Sequence, residues 1–221
     1  MPLGLLLELV TPFTTTGAVD PRGLQNLVAR ALPAAAGLVA GTPGVGEALA
    51  LAPEQRVTLF QELLRLVPPS TPLLFGLTAT SPEQTRNLAR QLEQVLGSTA
   101  HPPPVYWVDL PLLYHSNRGL PQYYQELGHQ LTRPLLLLNQ PQLVRTPSRP
   151  WKHANLRTAV LKKLAGLPVI SGLIYHGSLR RFLHYHAAVA LRPEFLLYEA
   201  DEVRFLTRPG SRGLVSATAL L

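Results

Sequence analysis

Eight short runs of Leu, Val and Ile recur along the 221-residue chain, and they constrain its fold more than any other feature. They read GLLLELVTP from Gly4, GLVAG from Gly37, PLLFGLT from Pro72, PVYWVDL from Pro104, PLLLLNQ from Pro134, PVISGLIY from Pro168, PEFLLYE from Pro193 and GLVSA from Gly213. Each is nearly continuous in hydrophobicity instead of alternating, as expected of parallel strands buried on both faces. Five begin with Pro, which is tolerated at the first residue of a strand because no ladder N–H is needed there.

Helical patterns with recognisable ends lie between these runs. Asp20-Pro21 supplies an N-cap and a first-turn proline, after which Leu24, Leu27, Val28 and Leu32 share one face. Ser81-Pro82-Glu83-Gln84 is a capping-box pattern followed by a stripe of Leu88, Leu92, Val95 and Leu96. Val57, Phe60, Leu63, Leu64 and Val67 make a third stripe, and Leu156, Val160 and Leu164 a fourth. Strand and helix alternating eight times over about 200 residues predict an α/β fold, a (β/α)8 TIM barrel near the short end of its size range. A doubly wound open sheet is the alternative, but the first strand runs into VTPFTTTG, which is no glycine-rich phosphate loop. The last run ends four residues before Leu221, so the barrel is expected to be truncated after its eighth strand, without its eighth helix.

The length suggests one barrel domain over residues 1–221. With 46% hydrophobic and 15% charged residues, it can bury a sizeable core. The absence of cysteine excludes disulfides and thiolate metal sites. The first apolar run carries Glu8, has no basic residue before it and no small-residue cleavage site after it, so it reads as a strand and not a signal peptide. No run approaches the ~20 apolar residues of a membrane span. The expectation is a soluble, cytoplasmic protein without membrane association. Of the twenty cations only three are lysines, Lys152, Lys162 and Lys163, and the net charge is +7. The arginines are dispersed, which weighs against a nucleic-acid surface. Nothing in the pattern asks for a cofactor.

In such barrels the site forms at the C-terminal ends of the strands. The polar residues there are Thr11, Thr42, Thr78, Asp109, Asn139, Tyr175 with His176, Glu199, and Ser216 with Thr218.

LVTPFTTTGAVD, GTPGVGEALALAPEQR, LLFGLTATSPEQT, LLLLNQPQLVRTP and GLVSATA together resemble the dihydrodipicolinate synthase and N-acetylneuraminate lyase family of class I aldolase barrels. The resemblance runs from about Gly4 to Thr218 and is most specific at the first strand and in GEALALAPEQR. Family members usually continue into C-terminal helices, an extension this chain is expected to lack. The resemblance implies a lysine at the end of the sixth strand that forms a Schiff base with a 2-oxo acid such as pyruvate. It also implies a proton-relay tyrosine after the fifth strand and a Gly-Thr-Thr-Gly-Glu loop holding the substrate carboxylate.

These parts are missing or broken. The lysine position reads Ile174 in one register and Leu173 in the other, and Leu138 stands where the relay tyrosine would precede Asn139. The threonine pair becomes Thr42-Pro43 or, without a gap, Gly44-Val45, and Pro43 removes a backbone N–H from a loop meant to offer them. Tyr114 is a shifted remnant of a tyrosine pair after the fourth strand, and the carboxylate arginine reads Leu143 or, slipped by two, Arg145. Glu47 and Asn139 persist. The expectation is a relative without aldolase chemistry that binds a small carboxylate, through Thr11, Thr42, Gly44, Glu47, Asn139 and Arg145, or a protein partner. Self-association over the uncovered barrel wall is expected as well. The competing reading is a lyase acting on a 2-oxo acid with relocated acid–base residues His176, Tyr175, Glu199 and Tyr114. His184 and His186, two apart on a helix, point to different faces and make no metal pair.

Overall fold

The computed structural model describes residues 2–145, 153–207 and 210–217. Thr218 and Lys152, both singled out above, lie outside them. Eight parallel strands close into a barrel in sequence order: β1 (Gly4–Glu8), β2 (Gly37–Ala40), β3 (Leu73–Gly76), β4 (Val105–Asp109), β5 (Leu135–Asn139), β6 (Ile170–Tyr175), β7 (Leu196–Glu199) and β8 (Gly213–Ser216). Between them run α1 (Pro21–Ala31), α2 (Pro53–Leu66), α3 (Pro82–Ser98), α4 (Leu120–Gly128), the short α5 (Pro141–Val144), α6 (Thr158–Ala165), α7 (Leu179–Ala188) and the single-turn α8 (Glu202–Phe205). A 3-10 turn over Pro111–Leu113 precedes α4.

The prolines at strand starts have a second use. The carbonyls of Pro72, Pro104 and Pro134 accept bonds from Leu38, Leu73 and Trp107 on the preceding strands. Each proline thus gives the ladder an acceptor at a position that needs no donor. Asp20 and Ser81 cap α1 and α3 as their sequences predict, accepting from the N–H groups of Arg22 and Gln84.

Strand alternation assigns every side chain to the lumen or to the helix layer. Phe75 and Trp107 stack on Phe60 of α2, with ring centroids 4.8 and 5.4 Å apart, so both face outward. Leu74 and Val108 therefore face the lumen, and the pairing of Leu74 with Val39 and of Val39 with Glu8 places Glu8 there too. Tyr175 packs edge-on against Tyr185 of α7, which puts Tyr175 outside and Ile174 inside. A bulge between β5 and β6 decides this phase: Leu135 pairs with Ile170, but Leu136 pairs with Gly172, leaving Ser171 over. Without it, Leu173 would face the lumen.

Strand pairing is sparsest at the seam between β7 and β8. β7 and β8 share two paired positions, and the outward-facing Leu5 and Leu214 beside that seam are only half-buried. Next to it, α7 and α8 leave Leu179, Leu183, Val203 and Leu206 exposed. No helix among the described residues is long and apolar enough to cross a membrane.

Candidate functional site

The strand ends carry three separate polar groups. The first surrounds Asp109, which is fully buried and faces the helix layer with Trp107. Its carboxylate accepts from Tyr114 (2.5 Å), Tyr124 of α4 (2.7 Å) and Thr78 (2.7 Å). The Arg56 guanidinium, also buried, donates to the carbonyls of Thr78 and Gly76, each at 2.6 Å. Burial pushes the Asp109 carboxyl up, against the pull of its three hydroxyl donors and Arg56. Burial lowers Arg56 to about 10, with Asp109 opposing the shift. The Tyr114 and Tyr124 phenols lie well above their usual range, through burial first and then the nearby carboxylate.

The second group lies at β1 and β2. Thr42 donates to the Glu8 carboxylate, whose own acidity is weakened by burial. Thr11 donates to the carbonyl of Gly46 at 2.9 Å and ties the exit of β1 to the loop after β2. Three N–H groups of that loop bond within it: Glu47 to Gly44, Ala48 to Thr42 and Ala50 to Glu47. Gly46 lies so close to Gly41 and Thr42 that a Cβ there would meet the Thr42 nitrogen at 2.5 Å. Glu47 is exposed and takes the left-handed region, at φ 52°. Gly44 rests on the Leu143 and Gln140 side chains, so the loop reaches across to α5.

The third group is a cleft of about 360 Å³ where β5 and β6 end, lined by Arg145, Asn155, Tyr175, His176, Ser178 and Arg181 among others. Three expected site residues, Arg145, Tyr175 and His176, meet in it. His176 Nε2 stands 3.7 Å from Asp201, the carboxylate that also pairs with Arg204 at 3.2 Å and caps α8. Glu199, expected among the acid–base residues, is fully buried and accepts from the N–H groups of Ala200 and Asp201, each at 3.0 Å. Asn139 turns to the helix layer: it donates to Asn155 and to the Tyr185 hydroxyl and accepts from Leu156 N–H. Tyr114 belongs to the Asp109 network and not to this cleft. Ser216 donates to Glu202, next to α8.

The lumen-facing residues at the ends of β5 and β6 are apolar. Leu138 and Ile174, both buried, are paired across β5 and β6 and face inward. Of the two residues offered for the lysine position, Ile174 faces the lumen and Leu173 the helices. Among the described residues no group of three His, Cys, Asp or Glu could hold a metal, and His184 and His186 are both exposed.

The whole chain, residues 1–221, matches the dihydrodipicolinate synthetase family. The chain belongs to that family. Similar members include the 4-hydroxy-tetrahydrodipicolinate synthases of Moorella thermoacetica and Limosilactobacillus fermentum. The first is 28% identical over 97% of this chain and 70% of its own length, the second 26% identical over 97% and 65%. This chain therefore spans about two thirds of those family members. Among solved structures, the fold superposes on YagE, a prophage protein of the dihydrodipicolinic acid synthase family from E. coli K12 determined in complex with pyruvate. The TM-score is 0.79 at 21% identity, over 96% of this chain and 69% of that one. Dihydrodipicolinate synthase from Bacteroides thetaiotaomicron gives 0.82 at 22% identity, over 99% and 70%.

Several residues of the site escaped the sequence reading. Arg56 sits on the apolar stripe of α2, three and four residues before Leu59 and Phe60, and a charge on that stripe was the available signal. Glu8 sits in an apolar strand, a charge with no evident solvent. Tyr124 and Arg181 carried no local signal, because they act through partners distant in sequence, whereas Asp201 has the N-cap position of the short turn that follows it.

Proposed function

We propose that this member of the dihydrodipicolinate synthetase family performs no Schiff-base chemistry and holds a small carboxylate in the cleft at the ends of β5 and β6. The observation that carries the reading is the inward-facing Ile174 beside Leu138. A Schiff base needs a neutral amine against the substrate carbonyl, and neither a butyl nor an isobutyl group supplies one. The ligand side rests on Arg145 and Arg181, two guanidinium groups lining one cleft with His176 and Ser178. Guanidinium forks match carboxylate geometry. The pyruvate complex of YagE suggests 2-oxo acids as the first ligands to try. In the β2 loop the N–H groups of Glu47, Ala48 and Ala50 are already bonded within the loop, which shifts recognition toward these side chains.

A lyase with relocated machinery would have to work with His176 and Asp201 as its acid–base pair. Tyr114 is committed to Asp109, and the Tyr175 ring packs against α7.

Two measurements made together test the proposal. The protein is incubated with pyruvate and borohydride and weighed intact, and a thermal-shift series is run with 2-oxo acids and sugar acids. Unchanged mass with stabilisation by at least one acid, lost in Arg145→Ala/Arg181→Ala, is the expected result. A covalent mass increase would overturn the absence of Schiff-base chemistry. No stabilisation by any acid would overturn the carboxylate assignment.

A further inference from the structure

A second cleft, of about 550 Å³, lies between the N-terminal ends of α4 and α6 and shares no lining residue with the cleft at β5 and β6. Its walls present Arg118, Arg157, Lys163 and His153, and no Asp or Glu lines it. Among the described residues none of these four side chains enters an ion pair. Two guanidinium groups and one ammonium around a single concavity make a positive potential that draws an anion.

The walls are held at a set spacing. Asn117, buried at the floor, donates to the carbonyl of Asn155 at 3.1 Å and accepts from the N–H of Arg157 at 2.8 Å. The backbone of Arg157 is thus anchored to Asn117, the residue before Arg118, while both arginines are exposed. The start of α6, which no side chain caps, adds positive potential of the same sign.

We propose that this cleft binds a phosphate-bearing small molecule. A singly charged ion would leave most of the cationic charge unmatched, and the volume falls in the range of about 300–1,000 Å³ typical of small-molecule sites. Two guanidinium groups with a lysine favour phosphate oxygens, which accept several charge-assisted bonds at once.

Isothermal titration of the full chain with pyrophosphate, citrate and sulfate at matched ionic strength tests this. Saturable pyrophosphate binding is expected, weakened about tenfold or more in Arg118→Ala/Arg157→Ala with unchanged circular dichroism. If that double variant does not fold, Lys163→Ala, at an exposed helix position, is expected to weaken binding in the same direction. Equal binding of sulfate or citrate would overturn the phosphate assignment. Absence of saturable binding, or binding unchanged in the variants, would overturn the site itself.

Discussion

Asp109, fully buried, and Glu8, partly buried, are both carboxyls at the C-terminal half of the barrel, and burial makes both weaker acids. Their surroundings differ in kind. Asp109 faces the helix layer and is met by three hydroxyl donors, with the Arg56 guanidinium nearby. Glu8 faces the lumen, next to Val39 and beyond it Leu74, and the hydrogen bond the structure gives its carboxylate comes from Thr42. A buried charge is stable when its lone pairs are met and costly when they are not. Asp109 is thus a structural pin tying β3, β4 and α4 together, whereas Glu8 keeps acceptor capacity in the lumen.

Removing the pin should have the larger effect. Asp109→Ala leaves the hydroxyls of Thr78, Tyr114 and Tyr124 without their shared acceptor and the Arg56 charge without its counter-charge. A loss of about 3–5 kcal/mol in urea denaturation is expected, the usual consequence of breaking a buried charged network. A loss below about 1 kcal/mol would show that Asp109 is no pin. Tyr124→Phe tests one arm of the network. It removes a 2.7 Å bond to a carboxylate at constant ring volume and should cost about 1.5–3 kcal/mol. If it costs as much as Asp109→Ala, the three hydroxyls act as one unit and not as separable bonds.

The contrast between these two carboxyls was only partly legible in the sequence. The barrel was readable because eight apolar runs and their capped helices are local patterns, set by burial and by backbone chemistry within a few residues. Asp109 could be placed at a strand end, yet its partners come from α2, β3 and α4, and no local pattern reports such pairing. The lumen position at β6 stayed open between Leu173 and Ile174, since the bulge at Ser171 leaves no mark in an apolar run. Asn139 shows the same limit: a polar residue at a strand end reads as a ligand, and the alternation that turns it to the helix layer follows from the pairing of β5 with β4. His176 was expected beside Glu199, but its recorded ion pair is with Asp201, two residues further along, where the chain turns into α8.

The smallest effect separates the two carboxyls by pH. Burial raises the Glu8 carboxyl in the folded chain above its ordinary value of 4.5, with the Thr42 bond acting in the opposite sense. Below that ordinary value, Glu8 is protonated both folded and unfolded and carries no penalty. As pH rises, the unfolded chain releases the proton first, so stability falls until the folded carboxyl ionises too. Glu8→Gln imitates the protonated acid at every pH and keeps a carbonyl to accept from Thr42. Its advantage over the native chain should therefore be near zero at pH 4 and grow toward neutrality, reaching on the order of 1 kcal/mol, the size typical of single substitutions. The Asp109 contribution is common to both proteins and cancels in the difference. Thermal or urea unfolding of both proteins across pH 4 to 8 reads this directly. A gap that is constant with pH would mean that Glu8 titrates no differently folded than unfolded, and the lumen would then be wetter than its Leu138 and Ile174 lining implies. A gap that grows as expected, and then widens when a 2-oxo acid is added to both proteins, would place Glu8 within reach of the bound anion, which repels an ionised carboxylate but not the neutral amide.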